Sequence, residues 1–179
     1  MAYSAEVTVA QVLSREAKEI KDYAVLRPNI LAEDSMLEAQ LVEMRFDMLR
    51  NQLALLVDLR QSANFKVENF GLLIFREVRS FSVDGLEAVS QPRARVILES
   101  LFERSGDSLR ADFSVWDDGN ATVQVLANEA MVIVGDAVEV RGAPPEYQSS
   151  TREQIAAGTQ SWESKVRLYG WAEMRATDG

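Results

Sequence analysis

Carboxylates, arginines and aromatic rings are the side chains with which this protein could do chemistry, because its 179 residues include no histidine and no cysteine. Histidine is the usual acid–base group near neutral pH and the commonest metal ligand, so its absence excludes serine–histidine catalysis. The absence of cysteine excludes a thiolate nucleophile, a disulfide and a thiolate metal site. Carboxylate catalysis and metal binding through oxygen ligands remain open.

The carboxylates form no pattern that is typical of a catalytic or metal site. Glu43 and Asp47 lie on either side of Arg45 on one face of an expected strand, which favours an exposed row of ion pairs. The stretch "DDGN" (117–120) lacks the ligand spacing of a calcium loop and favours a hairpin turn. We therefore expect no catalytic residue, no metal and no cofactor, and we interpret the chain as not being an enzyme.

The best candidate for a binding site is the segment 142–164, where the alternating pattern of the preceding residues stops. Pro144 and Pro145 cannot donate hydrogen bonds to a sheet. Beyond them lie Glu146, Tyr147 and Trp162, which we predict to be the residues that contact a partner protein, because aromatic anchors dominate many interfaces. The alternative is that the two rings close an open end of the sheet from inside.

The charge of the chain indicates which partners to expect. A net charge of −9 disfavours binding to the phosphate backbone of nucleic acid. An acidic surface instead attracts a basic protein, which is the partner we predict. The arginines Arg76, Arg79, Arg93 and Arg95 could form a basic patch, but the surplus of acidic residues favours ion pairs there.

The N-terminal stretch "MAYSAEVTVAQ" has neither the basic start nor the apolar core of a secretion signal. The sequence also contains no apolar run of about 18 residues that would cross a membrane. We predict a cytoplasmic protein that does not contact a membrane. The oligomeric state stays open.

These residues must be positioned by an α+β fold that consists mostly of an antiparallel β-meander, either a curled sheet or a barrel. Residues 1–27 are expected to hold an N-terminal helix over 9–25, with Thr8 and Gln11 as a capping box. Residues 36–141 alternate as strands separated by turns, although 94–104 is ambiguous between strand and helix and we favour strand. Residues 142–164 form an irregular loop with a short helix at "REQIAA", and 165–174 return as a strand. One domain over 1–179 is expected.

The strands "LALLVDLR" and "GLLIFREVRSF", with "GDAVEV", "APPEY", "REQIAAG" and "SW", resemble a family of small, acidic, uncharacterised actinobacterial proteins. The resemblance covers roughly residues 52–164 and implies no activity. In size, acidity and strand content, that family is similar to bacterial immunity proteins, which block a toxin.

The resemblance and the composition together lead to three hypotheses. The first is a non-enzymatic protein-binding protein, with an immunity-type inhibitor that occludes a basic partner as its sharpest form. The second is a structural or adaptor subunit of a multiprotein assembly, attached through the N-terminal helix. The third is a carboxylate-based hydrolase or a small-ligand binder.

Overall fold

Nearly all of the regular structure in the described part of the chain is strand. The computed structural model describes residues 6–15, 19–20, 25–26, 31–86, 93–117 and 119–176. Within these residues, eleven strands form one hydrogen-bonded network. The strands are β1 Val7–Thr8, β2 Val25–Leu26, β3 Gln40–Asp47, β4 Gln52–Asp58, β5 Phe70–Arg76, β6 Ser80–Asp84, β7 Val96–Ser105, β8 Ser108–Trp116, β9 Asn120–Ala127, β10 Glu129–Ala137 and β11 Lys165–Arg175, and the helices are α1 Val9–Ser14 and α2 Arg152–Gly158.

The network folds into two layers, which we call the first sheet and the second sheet. The first sheet has the strand order β1–β11–β10–β5–β4–β3, and the second has the order β7–β8–β9–β6. The layers join where Gln40 of β3 pairs with Val96 of β7. Every described pair is antiparallel except that of β2 with β11. The prediction of a mostly antiparallel, curled sheet is confirmed.

The central strands of the first sheet are buried on both faces. All seven residues of β4 are buried, and nearly all residues of β5 and β10 are buried as well. Because successive side chains of a strand point to opposite faces, Leu55 and Val57 face the second sheet while Ala54 and Leu56 face the other way. The continuous apolar runs of these strands are typical of a sheet that needs cover on both sides.

Two different parts of the chain supply that cover. The second sheet packs its inner face, which includes Phe102, Phe113 and Val123, against one side of the first sheet. The opposite side is covered by residues that come from outside the two sheets. Val9 and Val12 of α1, Ile20, Val140 and Trp162 form this second apolar layer.

The N-terminal helix is shorter than its apolar spacing predicts. The capping box is present, with the Gln11 amide donating to Thr8 Oγ1 at 3.1 Å. The helix ends at Ser14, whose hydroxyl bonds back to the Gln11 carbonyl, and Arg15 is extended. The expected continuous helix over 9–25 is therefore interrupted at Arg15 and ends before Val25–Leu26, which is a strand. Residues 19–20 are helical as expected, and residues 16–18 and 21–24 lie outside the described part. No described helix is both long and apolar enough to cross a membrane.

The chain crosses between the sheets at two neighbouring points. After β5 it leaves the first sheet at Glu77, which has a positive φ of 52°, and β6 pairs with β9. After β9 it returns at Asn128, and β10 pairs with β5. The Asn128 amide donates to the Arg76 carbonyl at 3.2 Å and ties the two crossings together. The stretch 70–83 is thus two strands, and β9 and β10 are not neighbours as a simple meander would have them.

The remaining strand predictions are confirmed. The ambiguous stretch 94–104 is strand β7, which turns through Gly106 and Asp107 into β8. The antiparallel pairing of β8 with β9 ends with Trp116 opposite Asn120, as expected for a hairpin. The returning strand over 165–174 is β11.

Gly135 permits the irregular pairing of β10 with β11. The register shifts between Val134 and Gly135, and a Cβ at Gly135 would collide with the Arg167 carbonyl oxygen and lie 3.1 Å from the Leu168 Cα. We expect Gly135→Ala to lower the free energy of unfolding by about 1–3 kcal/mol, because backbone atoms cannot move aside as a flexible side chain would. Urea denaturation measures this. Gly119→Ala is the control, since no atom lies within 4 Å of its added Cβ, and equal losses in both variants would contradict the explanation.

Candidate functional site

The segment 142–164 is held against the first sheet by one buried ion pair. Asp58, at the end of β4, and Arg60 have side chains that are 1% and 7% exposed, and their closest charged atoms are 2.5 Å apart. Arg60 also donates to the carbonyls of Ala143 at 3.2 Å and Gly158 at 2.7 Å. A single guanidinium therefore satisfies both ends of a loop that leaves the sheet and returns. Its position after "LALLVD" gave no sign of this role.

The predicted contact residues do not form one surface. Glu146 is exposed, and its carbonyl accepts the amides of Ser149 and Ser150. Tyr147 is half-buried, and its hydroxyl donates to Gln40 Oε1 at 3.2 Å. Both residues sit on the part of the loop that Arg60 anchors, so they remain candidates for contact with a partner.

Trp162 lies inside the protein. Its side chain is 2% exposed and is the largest of those that are fully buried. Its carbonyl accepts the Ala10 amide at 2.9 Å, and the Arg45 guanidinium lies 4.6 Å from its ring centroid. Trp162 thus takes the place described by the packing alternative, under α1 and over the first sheet, where a partner cannot reach it without opening that layer.

The other polar groups singled out in the sequence form ion pairs. Arg45 pairs with Glu43 and Arg50 with Asp47, both at 3.5 Å on the surface. The arginines considered for a basic patch form ion pairs instead, as the surplus of acidic residues favoured: Arg76 pairs with Glu129, Arg79 with Asp107, and Arg93 and Arg95 with the buried Asp117. Within the described residues, no group of three or more acidic side chains is arranged to hold a metal ion.

The outer face of the second sheet carries a cavity of about 420 Å³ that the sequence did not single out. Two rows of side chains form its floor: Glu99, Ser114 and Thr122 in one row, and Leu101, Asp112 and Gln124 in the next. Its wall is the loop segment around Glu33 and Asp34, which runs beside the edge of β7.

The wall is fixed to the sheet by hydrogen bonds from Asp34. Its amide donates to the Ser100 carbonyl at 2.7 Å, and its carboxylate accepts the Ser100 amide at 3.2 Å. Asp34 has a positive φ of 54°, a backbone conformation in which Asp is among the favoured residues. The wall is therefore part of the folded structure at this edge.

The cavity is strongly acidic. Glu33, Asp34, Glu99 and Asp112 line it, and none of its lining residues is lysine or arginine. Asp112 pairs with Arg110 at 2.6 Å, whereas no lysine or arginine of the described residues forms an ion pair with Glu33, Asp34 or Glu99. The arrangement can therefore accept hydrogen bonds from a cation supplied from outside.

Exposed apolar side chains border this cavity on the same face. Trp116, two residues beyond Ser114 and hence roughly 7 Å along the strand, is 55% exposed. Leu98 and Leu101 are each 37% exposed. In the sequence, the alternation of "LRADFSVW" indicates which side chains share the outer face, but not that β7 and β9 would align Glu99 and Thr122 beside them.

No protein-family model matches this chain, and no curated protein matches it. Among solved structures, it is similar to an uncharacterised protein from Neisseria gonorrhoeae, with 16% identity and a TM-score of 0.38 over 54% of this chain and 90% of that one. The likeness to actinobacterial and immunity proteins stays a prediction.

We expect Arg60→Met to release the loop and destabilise the protein. Removing one partner of a buried pair leaves the Asp58 carboxylate unpaired, which costs about 3–5 kcal/mol. Amides of residues 142–158 should then exchange hydrogen faster than in the wild type, because Gly142, Ala143 and Gly158 lose their common donor.

Arg50→Met is the matched control for this change. Its pair with Asp47 is exposed, so the loss should stay within about 1 kcal/mol. Unchanged exchange over 142–158 in Arg60→Met would show that the loop does not depend on Arg60.

The pH dependence of stability should carry a contribution from Tyr147. Burial, and to a smaller extent the charge of Asp58, raise the pKa of this phenol above its usual value, although Arg60 opposes the shift. The neutral form is thus favoured in the folded state, and its contribution is complete below the pKa of the unfolded chain, about 10. As the pH rises from there through the raised pKa, that stability is lost.

Urea midpoints measured from pH 8 to strongly alkaline conditions test this expectation. The midpoint of Tyr147→Phe should fall less steeply than that of the wild type, because phenylalanine has no proton to lose. Parallel curves for the two proteins would contradict the assignment.

Proposed function

We propose that this protein binds another protein and does no chemistry of its own, and that it docks a basic partner on the outer face of its second sheet. The observation that carries the proposal is the acidic cavity at Glu33, Asp34, Glu99 and Asp112, with exposed Trp116 beside it. The carboxylates of Glu33, Asp34 and Glu99, which form no ion pair within the described residues, can pair with lysine or arginine side chains of a partner.

The location follows from which surfaces are already used. The first sheet is covered on both faces, by the second sheet and by the layer of α1 and Trp162. The outer face of the second sheet has no such cover among the described residues, and it combines carboxylates with exposed apolar groups. Interfaces commonly have this composition, with an aromatic anchor surrounded by polar contacts.

The electrostatics of the chain would support such a complex. A net charge of −9 attracts a basic protein over a distance of about a Debye length, roughly 8 Å at physiological salt. This attraction raises the rate of association, and the cavity then fixes the orientation of the partner. The sharpest form of the proposal is an immunity-type inhibitor that covers a basic active site of a cytoplasmic toxin.

The adaptor alternative receives less support from the packing of the N-terminal segment. Val9 and Val12 of α1 are fully buried, and the Val9 amide donates to the Ser164 carbonyl at 3.1 Å. A helix packed in this way serves poorly as a detachable handle. A small-ligand binder or a carboxylate-based hydrolase would use the same cavity, so experiment must separate these from protein binding.

Affinity capture from the native host at low and high salt tests the proposal. We expect one basic protein in near-equal amount, retained at low salt and lost at high salt. Glu33→Gln combined with Glu99→Gln removes two cavity charges while keeping side-chain size, and it should weaken binding about tenfold, equivalent to 1.4 kcal/mol. Trp116→Ala should reduce the binding free energy by about 2 kcal/mol, because tryptophans that become buried on binding often contribute much of the affinity of an interface.

The matched control is Glu139→Gln combined with Glu146→Gln, which removes two exposed charges that do not line the cavity. If this control or Tyr147→Ala weakens capture and the cavity variant does not, the binding site is the loop at 142–164. Several co-purifying subunits that persist at high salt would support an adaptor. Failure to capture any protein would favour a small-ligand binder or an enzyme.

A further inference from the structure

Within the described residues, strand β6 pairs along one edge only. Its five residues pair with β9 in an unbroken register, from Ser80 opposite Leu126 to Asp84 opposite Thr122. It is the last strand of the second sheet, and no described residue forms sheet pairing with its other side. Among the described residues, the backbone N–H and C=O groups on that side therefore have no strand partner.

Free edges of this kind normally carry features that prevent pairing. Lysine, proline, an inward-pointing charge or a bulge blocks the approach of a second strand. The sequence of β6, Ser-Phe-Ser-Val-Asp, contains neither lysine nor proline, and its pairing with β9 shows no bulge. Its one charged side chain, Asp84, is at the end of the strand, so the centre is neutral.

An exposed apolar surface adjoins the same edge. Phe81 of β6 is 42% exposed and its ring centroid lies 5.0 Å from that of Phe46 in β3, which is 39% exposed. The turn after β3 adds Met48 and Leu49, which are 83% and 100% exposed. Large apolar side chains exposed together beside an open strand edge are typical of an interaction surface.

We propose that β6 pairs with β6 of a second copy of this chain, antiparallel and around a two-fold axis through Ser82. In this register Ser82 lies opposite its own copy, Phe81 lies opposite Val83, and Ser80 lies opposite Asp84. All five residues find a partner, and apolar side chains meet apolar ones on the inner face.

The distribution of charge is the reason for choosing a second copy as the occupant. The pairing places each Asp84 opposite a serine and beside Arg79, so that no like charges face each other across the axis. A register centred on Phe81 or Val83 would leave an end of the strand unpaired. A strand that is complementary to itself in this way fits the isologous interface of a two-fold dimer.

The net charge gives this dimer a distinctive response to salt. Two chains of −9 repel each other, and added salt screens the repulsion. Dimerisation should therefore strengthen as salt is added, whereas docking of a basic partner on the acidic cavity should weaken. The dimer does not rest on the proposed function, and the opposite salt dependence keeps the two measurements separate.

A single introduced cysteine tests the register directly, because the chain has none of its own. Opposed residues of antiparallel strands have Cα atoms about 4.5–5.5 Å apart, within the range that a disulfide spans. We expect Ser82→Cys to form a covalent dimer rapidly and nearly completely in dilute, mildly oxidising solution. Gln148→Cys, at an exposed site outside β6, is the control and should form a disulfide slowly.

Charge variants at the same position provide a second test by sedimentation velocity. Ser82→Lys and Ser82→Asp should each weaken dimerisation roughly fivefold, because like charges then face each other across the axis. Mixing the two variants should restore a mixed dimer. Circular dichroism confirms that each variant is folded, so loss of the dimer is not mistaken for unfolding.

Three outcomes would overturn the proposal. The first is a wild-type protein that stays monomeric from micromolar to millimolar concentration at high salt. The second is Ser82→Cys that crosslinks no faster than Gln148→Cys. The third is a wild-type dimer that neither charge variant weakens, since the two copies would then meet through a different surface.

Discussion

The first sheet is apolar on both faces, and the rest of the structure follows from the need to cover them. A sheet with buried side chains at every position of β4 would lose a large part of its hydrophobic stabilisation if either face met water. Two different parts of the structure cover the two faces of this sheet. One is a regular second sheet, and the other is assembled from α1, Ile20, Val140 and Trp162, which have no sheet of their own.

Hydrogen bonds fix the points at which these covers are attached. Asn128 bonds to Arg76 where the chain crosses between the sheets, and Arg60 bonds to Asp58 and to three carbonyls where the loop 142–158 returns. A guanidinium carries several donors, so the single side chain of Arg60 satisfies three loop carbonyls together with Asp58. On the outer face of the second sheet, by contrast, Glu33 and Glu99 form no ion pair within the described residues, and Trp116 is 55% exposed.

The sequence predicts what depends on near neighbours. Alternation identified β3 and β8, and the predicted capping box of Thr8 with Gln11 is formed. The sequence did not predict that Arg60 anchors a loop over eighty residues away, or that Glu33 and Glu99 line one cavity. It also did not predict that the chain crosses to the second sheet before β6 and back to the first before β10. Those contacts depend on the order of the strands in the sheets. Trp162 is a further example, because the sequence pattern around a single tryptophan in a loop does not indicate whether its side chain is exposed or buried.

The insertion of β10 between β5 and β11 has a consequence for how the protein is made. On the ribosome, β4 and β5 emerge before β6 to β9, whereas β10, Val140 and Trp162, which complete the sheet and its outer cover, come only afterwards. During that interval, the pair of β4 and β5 exposes apolar surface and an unpaired strand edge that are buried only in the complete fold. Such a nascent chain is a natural client for a chaperone, and slower synthesis at low temperature should favour soluble product over inclusion bodies.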